Sequence, residues 1–170
     1  MLIGLISDTH IPYHAKAFPE QLKEVFRDVE LILHAGDIYV ASVLDDLARL
    51  APVLAAEGDD DYGEVLADKR LKQEHVLTIE GVTIWLFHQY RTRTWVGYEK
   101  FETKAWDKPE RHPDVIVYGH THESALENGD GVLKVNPGSA TFPHYKAVPG
   151  TVGLLTVSAG KAEAQIIQLH

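Results

Sequence analysis

The first third of the chain alternates three short apolar segments with two amphipathic ones, and few folds accept this order. The apolar segments LIGLIS, LILHAG and VLAAEG (residues 2–7, 31–36 and 53–58) are typical of strands that are buried on both faces. Residues 18–29 and 40–50 between them carry apolar side chains at helical spacing. The order strand–helix–strand–helix–strand predicts a parallel α/β sheet.

The second half of the sequence predicts a different arrangement, made mostly of antiparallel strands. Segments VLTIE and VTIWLF lie on either side of Gly81 and predict a hairpin. Asn-Gly and Asp-Gly pairs predict a second hairpin over residues 124–136, and Gly160 separates the strands of a third. Residues 114–119 predict one more buried strand. Because no repeat or linker interrupts the sequence, we expect one domain over residues 1–170.

The composition excludes several kinds of site and partner. The chain has no cysteine, which excludes disulfides, thiolate metal sites and cysteine nucleophiles. Its formal net charge of −9 argues against an extended nucleic-acid partner. The start of the chain lacks the basic region of a signal peptide, and no apolar run approaches the ~20 residues of a membrane span. We therefore expect a cytoplasmic protein without a membrane partner, and the oligomeric state stays open.

Residues that can bind metal ions follow six of the predicted strands. One of these strands is followed by Asn136, and the other five are followed by Asp8, His10, Asp37, Asp59, Asp60, Asp61, His88, His120 and His122. Sites in α/β proteins form outside the carboxyl ends of strands, so we expect these side chains to converge. The three consecutive aspartates, taken alone, are more typical of a solvated acidic turn.

The candidate ligands have a mixed chemistry that restricts the metal. Carboxylate oxygens together with imidazole nitrogens suit Mn²⁺, Fe, Zn²⁺ or Ni²⁺ better than Ca²⁺ or Mg²⁺, which prefer oxygen alone. The number of candidates is enough for two divalent ions. Two ions ~3.5–4 Å apart form a clamp for in-line displacement at phosphorus and lower the pKa of a bridging water.

Five short motifs in a fixed order resemble those of a known enzyme family. They are SDTH (7–10), HAGDI (34–38), GDDD (58–61), GHTH (119–122) and NPGSA (136–140). Together they resemble the calcineurin-like metallophosphoesterases, and the compact bacterial and archaeal phosphodiesterase branch above all, over residues 2–158. The resemblance implies an α/β fold, in which two facing β-sheets form a sandwich flanked by helices and a dinuclear metal site lies at the strand ends.

The resemblance also assigns ligands to two divalent metal ions, with Mn²⁺ as the first expectation. It implies that one ion is held by Asp8, His10 and His122. It implies that the second ion is held by Asp59, His88 and His120, and that Asp37 bridges the two. His34 is expected to be a packed or supporting group, and Asp61 a structural carboxylate.

The resemblance implies hydrolysis of a small phosphoester, more specifically a phosphodiester, by a hydroxide that bridges the metals. Asp59 departs from the family pattern, because the family usually has an asparagine there. Asp60 stands where many phosphomonoesterases of the family carry a histidine that protonates the leaving group. It could replace that acid only if its pKa were well above ~3.9. The alternatives are a phosphomonoesterase, cyclic-nucleotide hydrolysis, or a non-catalytic scaffold such as the eukaryotic retromer subunit of this fold.

Residues 89–112 form a basic and aromatic segment in an otherwise acidic chain. It begins one residue after His88, where the run HQY replaces the family's usual His-Gly-His. We expect residues 91–108 to contribute to substrate access, with Arg91 and Arg93 as candidate contacts for an anionic substrate. The alternative is an ordinary loop followed by a surface helix.

Overall fold

The computed structural model describes residues 1–89 and 112–170. Its strands are β1 (Leu2–Ile6), β2 (Leu31–His34), β3 (Val53–Ala56), β4 (Leu71–Lys72), β5 (Glu74–Ile79), β6 (Val82–Phe87), β7 (Val115–Val117), β8 (Ser124–Gly129), β9 (Val132–Pro137), β10 (Thr151–Ser158) and β11 (Lys161–Gln168). Its α-helices are α1 (Leu22–Val25) and α2 (Ala41–Ala48), and short 3₁₀ helices cover Gly63–Ala67 and Pro143–Tyr145.

The first sheet has the strand order β11-β10-β1-β2-β3-β4. Strands β1 to β3 pair in parallel, as the alternation of strands and helices predicts, and the short strand β4, which was not predicted, pairs in parallel with β3. The predicted hairpin around Gly160 also forms, and its strand β10 pairs antiparallel with β1. Strand β1 therefore lies inside the sheet, with neighbours from both ends of the chain.

The second sheet has the order β5-β6-β7-β9-β8, and most strand pairs in the second half of the chain are antiparallel, as predicted. The two predicted hairpins, β5–β6 and β8–β9, are confirmed. Strand β7, however, is parallel to both of its neighbours. Its three residues are fully buried, as is usual for parallel strands. An apolar run shows that a strand is buried, but it does not show which strands pair with it.

The two sheets face each other across a shared apolar core, which confirms the predicted two-sheet α/β sandwich. Ile3 and Leu33 of the first sheet pack in one cluster with Ile84 and Val117 of the second. The opposite side of the first sheet is covered by helices α1 and α2. This packing aligns the strand ends of both sheets at one edge, where the polar loops meet.

The helix predicted over residues 18–29 is much shorter than expected. Only Leu22–Val25 is α-helical, and turns extend on either side. Leu22 and Phe26 are buried, so the apolar spacing correctly identified the inward face. A segment of this length is marginal as an isolated helix, and its packing determines the conformation. Among residues 1–89 and 112–170, no helix is long and apolar enough to cross a membrane.

Candidate metal centre

The loops that follow the strands hold several predicted ligands in an unusual backbone conformation. Positive φ angles occur at Asp8 (51°), His10 (45°), Asp37 (59°), His120 (75°) and His122 (59°). This region is uncommon for residues with a side chain, and its use is concentrated at functional sites. The surrounding hydrogen bonds must therefore hold these loops in place.

Four predicted ligands form a buried cluster near the end of β1. They are Asp8, His10, Asp37 and His122, and each offers one ligand atom within 4.8 Å of the others. The Nε2 atoms of His10 and His122 face each other at 3.0 Å. The Asp8 Oδ1 atom lies 3.6 Å from His122 Nε2, and Asp37 Oδ2 lies 3.5 Å from His10 Nε2. Oxygen and nitrogen atoms thus surround a small common space.

The other three predicted ligands, Asp59, His88 and His120, form a second cluster beside the first. Asp59 Oδ1 lies 2.8 Å from His88 Nε2 and 3.0 Å from His120 Nδ1. The Oδ2 atom of Asp37 lies 3.4 Å from His88 Nε2, so this one carboxylate oxygen is close to both clusters. The structure thus brings these residues together in the two groups that the family resemblance implies, and their role as metal ligands stays a prediction.

Backbone carbonyl groups orient two of the histidines. The Nδ1 atom of His88 lies 2.6 Å from the Ala35 carbonyl oxygen, and Nδ1 of His122 lies 2.8 Å from that of Phe142. A ring nitrogen beside a carbonyl oxygen must carry the proton, which leaves Nε2 of a neutral ring with its lone pair. This arrangement is typical of metal-binding histidines.

The polar groups fit a bound cation. The buried Nε2 atom of His88 makes no hydrogen bond of normal geometry, although carboxylate oxygens surround it. A nitrogen lone pair beside several carboxylates suits a metal ion, which requires no aligned N–H group. The donor set of imidazole nitrogens and carboxylate oxygens matches the metals that the sequence predicts.

Burial and neighbouring charges shift several pKa values in this site. Burial raises the pKa of Asp8 to about 7. Burial alone would lower the pKa of His88, but the nearby carboxylates of Asp37 and Asp59 outweigh it and raise the pKa to about 11. Burial lowers the pKa of His10 to about 4, so this ring is neutral at pH 7, as a ligand must be. The carboxylates therefore require a positive charge, which a proton on His88 or a metal ion can supply.

Metal binding is expected to release a proton and to strengthen as the pH rises. His88 has a raised pKa and is protonated at neutral pH, whereas a ligand histidine must be neutral. Calorimetric titration with Mn²⁺ in buffers of different ionisation enthalpy measures the protons released. An observed enthalpy that is the same in every buffer would contradict this expectation.

Asp61 holds the two acidic loops together, in agreement with its expected structural role. Its carboxylate accepts hydrogen bonds from the backbone N–H groups of Asp37 (3.2 Å), Ile38 (2.7 Å), Tyr39 (2.8 Å) and Gly58 (2.8 Å). Of the three consecutive aspartates, Asp61 is thus a structural carboxylate and Asp59 a ligand candidate. The three do not form a simple solvated turn.

Asp60 is exposed and does not belong to either ligand cluster. Its backbone N–H donates to Asp37 Oδ1 at 3.1 Å, and its carboxylate accepts a hydrogen bond from the Tyr39 hydroxyl. Arg91 and Arg93, together with the rest of residues 90–111, lie outside the described residues. Gln89 precedes that segment, and its side chain lies 3.0 Å from Nε2 of His120.

Asn136 supports the loop that carries His120 and His122. Its Nδ2 group donates to the Gly119 carbonyl and to the Thr121 hydroxyl, each at 3.0 Å. The strand-end pattern grouped Asn136 with the metal ligands, and in the structure its Oδ1 atom accepts a hydrogen bond from the Gly138 N–H at 2.8 Å. His34 is fully buried and contacts the Thr9 hydroxyl, as expected for a packed group.

Two hydroxyl groups that sequence reasoning missed fix the first loop. Ser139 donates to the Asp8 carbonyl at 2.6 Å, and the Thr141 hydroxyl donates to the Thr9 carbonyl. Ser139 belongs to the motif NPGSA, and Thr141 is the first residue after it. The backbone of Gly119 also packs against this loop, so closely that a side chain at this position would overlap the Ser7 hydroxyl.

Comparison with known proteins identifies the family. The family sequence model that describes the calcineurin-like phosphoesterase superfamily domain matches residues 1–160. The chain belongs to the calcineurin-like phosphoesterase superfamily. This assignment confirms the resemblance carried by the five motifs.

Curated members of the superfamily are similar over nearly the full length. A protein of Methanothermobacter thermautotrophicus, described as a probable metallophosphoesterase, is 37% identical over 99% of this chain and 92% of its own length. A phosphodiesterase of Methanocaldococcus jannaschii is 30% identical over 91% of this chain and 92% of its own length. Both are archaeal, and they support the compact phosphodiesterase branch.

Several solved structures share the fold. A single mutant of Vps29 from Entamoeba histolytica has a TM-score of 0.72, with 22% identity and full coverage of both chains. A structure described as a novel archaeal phosphodiesterase has a TM-score of 0.69, with 24% identity, and covers 98% of this chain and 100% of its own. At these identities the likeness shows the fold alone.

Proposed function

We propose that the protein is a phosphodiesterase that depends on two divalent metal ions. The observation that carries this proposal is the position of Asp37, whose Oδ2 atom lies 3.5 Å from His10 Nε2 and 3.4 Å from His88 Nε2. A carboxylate placed between two ligand sets can bridge two ions. The phosphodiesterase relative from Methanocaldococcus jannaschii supports the same reaction class.

The side chains of the site would form two ligand sets, one for each ion. Asp8, His10 and His122 would hold one ion, Asp59, His88 and His120 would hold the other, and Asp37 would be shared by both sets. The ions, when bound, supply Lewis acidity and an activated water at neutral pH. The carbonyl groups of Ala35 and Phe142 fix the ring orientations, so the ligands need not reorganise during the reaction.

Mn²⁺ is the metal we propose first, with Fe, Zn²⁺ and Ni²⁺ as the alternatives. The first ligand set offers two imidazole nitrogens and two carboxylates, and the second offers two nitrogens and Asp59 besides the shared Asp37. This mixture excludes a strong preference for Ca²⁺ or Mg²⁺. Wild-type Vps29 from Entamoeba histolytica, which shares the fold at a TM-score of 0.72, has been solved with Zn²⁺.

Two acidic residues favour a diester over a monoester. Asp59 adds a negative charge at the second ligand set, and Asp60 lies next to it in the chain. Like charges repel, and a phosphomonoester carries more negative charge than a phosphodiester at neutral pH. The site should therefore accept the less charged substrate more readily. A phosphomonoesterase is the first alternative.

A non-catalytic scaffold is the second alternative, because the Vps29 structures share the fold. The discriminating experiment measures metal content by elemental analysis together with hydrolysis of bis(p-nitrophenyl) phosphate and p-nitrophenyl phosphate across Mn²⁺, Fe²⁺, Zn²⁺ and Ni²⁺. We expect two ions per chain and a higher kcat/KM for the diester. A metal-loaded protein that hydrolyses neither ester would overturn the proposed function, and faster monoester hydrolysis would overturn the substrate class.

The Asp59→Asn variant is expected to bind the second ion more weakly. At saturating metal we expect its kcat to be higher than that of the wild type, or at least its pH optimum to be lower. The substitution removes a full negative charge beside the ions, which strengthens the attraction the site exerts on phosphoryl oxygens and on water. Tighter binding of metal in the ground state does not by itself accelerate chemistry. The measurements are metal affinity and pH–rate profiles of both forms with excess Mn²⁺. If the variant is slower at every pH despite full occupancy, Asp59 is an adapted catalytic ligand.

A further inference from the structure

Three tyrosines line a cavity that opens beside the second ligand cluster. Tyr13, Tyr39 and Tyr62 contribute to its wall together with Asp59 and Asp60. The cavity volume is about 530 Å³, within the range of about 300–1,000 Å³ that is usual for small-molecule sites. Because Asp59 is also a ligand candidate, the cavity is continuous with the metal centre.

The three rings form a connected and partly fixed wall. The ring of Tyr39 lies 5.2 Å from that of Tyr13 at 80°, and 6.2 Å from that of Tyr62 at 48°. The Tyr62 hydroxyl donates to the Tyr13 hydroxyl at 2.9 Å. The side chains of Tyr13 and Tyr62 are nevertheless exposed, at 65% and 57%. They contribute little to the core, and their ring faces remain available for a ligand.

Tyr39 connects this wall to the catalytic centre. Its backbone N–H is held by Asp61, its hydroxyl donates to Asp60, and its ring packs edge-on against His10 at 4.9 Å. These three contacts fix the ring before any substrate arrives. A preorganised aromatic group costs less conformational entropy on binding than a mobile one.

We propose that this tyrosine cavity binds the nucleobase of a nucleotide-type phosphodiester, an inference that rests on the proposed function. A flat aromatic ring can stack on the exposed tyrosines while the phosphate reaches the ions beside Asp59. The cavity does not suit a second phosphate, because Asp59 and Asp60 would repel it. An aromatic but uncharged group is thus the part of the substrate that fits.

The carboxylate of Asp60 further favours a base that carries an amino group. A carboxylate offers about four lone-pair positions, and the Tyr39 hydroxyl uses one of them. The remaining positions can accept hydrogen bonds from an exocyclic amine, as carboxylates do with the amino group of cytosine. Uracil lacks that amine but has the same ring size, so the two pyrimidines form a matched pair.

The test compares three substrates that release the same chromophore: methyl p-nitrophenyl phosphate and the p-nitrophenyl esters of cytidine and uridine 5′-phosphates. In the Mn²⁺-loaded wild type, we expect the cytidine ester to have the lowest KM. The Tyr13→Ala and Tyr62→Ala variants should raise KM for the cytidine ester about tenfold, the usual scale for loss of one base–aromatic stack. Their KM for the methyl ester should change less than about twofold on the same reasoning.

Matched variants separate stacking from other effects. Tyr62→Phe keeps the ring without the hydroxyl and should retain the low KM for the cytidine ester. Leu126→Ala removes an exposed apolar side chain from β8, in the other sheet, and should leave all three substrates unchanged. The Asp60→Asn variant should reduce the preference for cytidine over uridine. Equal changes for the methyl and cytidine esters, or no change for either, would overturn the subsite.

Failure of the subsite is distinguishable from failure of the proposed function. Hydrolysis of the methyl ester tests phosphodiesterase activity without any base. Binding of cytidine 5′-phosphate, measured by calorimetry on the Mn²⁺-loaded protein, tests the cavity without turnover. We expect Tyr62→Ala to weaken this binding about tenfold as well. Wild-type affinity in that variant would contradict the proposal even if every ester is hydrolysed.

Discussion

Replacement of Asp37 by alanine is expected to remove both metal ions and to abolish activity. Its Oδ2 atom is the ligand atom that lies near both clusters, at 3.5 Å from His10 Nε2 and 3.4 Å from His88 Nε2. Without it, neither set keeps its full complement of ligands. Loss of metal catalysis removes several kcal/mol of transition-state stabilisation, which corresponds to a fall in kcat/KM of at least ~10³.

The measurement is elemental analysis after dialysis, together with the rate of phosphodiester hydrolysis. The Asp37→Asn variant keeps the shape of the side chain and an oxygen for the Asp60 N–H group, so it separates charge from structure. Asp28→Asn makes the same chemical change at an exposed position and should have no effect. An Asp37→Ala protein that still holds two ions per chain would show that Asp37 is not the bridge.

Replacement of Asp61 by alanine is expected to have the second large effect, a lower free energy of unfolding. Four backbone N–H groups on two loops would lose their common acceptor. A buried donor left without a partner costs about 1–3 kcal/mol. Since some of the groups can relax toward water, we expect the free energy of unfolding to fall by about 3–5 kcal/mol.

The measurement is urea unfolding with a chelator present, so that metal binding does not contribute. Asp114→Ala is the matched control, because its carboxylate accepts one backbone N–H bond, from Thr83, at an exposed position. That variant should lose only about 0.5–1.5 kcal/mol. If both variants lose equal stability, Asp61 does not hold the two loops together.

The sequence predicts the strand ends, and the convergence of the residues that follow them, for a definite physical reason. Asp8, Asp37 and His88 follow continuous apolar runs, and such runs identify buried strands with little ambiguity. The parallel order of β1 to β3 then follows from the intervening amphipathic segments. Convergence of the ligands at one edge is a consequence of that topology.

Other features depend on contacts that a sequence pattern does not contain. The parallel pairing of β7 is decided by which buried strands meet across the second sheet. The short helix α1 reflects packing of Leu22 and Phe26, which overrides the helical spacing around them. The tyrosine cavity joins residues from three separate loops, and only the folded chain shows that Tyr13, Tyr39 and Tyr62 are neighbours.

The position of β1 between β2 and β10 has a consequence for the order in which the protein matures during synthesis. The ribosome makes Asp8 well before β10 and the Ser139 hydroxyl that holds the Asp8 carbonyl, which come more than 130 residues later. Contacts so distant along the chain form slowly, and N-terminal segments emerge first at ~5–20 residues per second. Nascent chains therefore expose the acidic loops before His88, His120 and His122 are made. Metal loading should be a late event that marks a finished molecule.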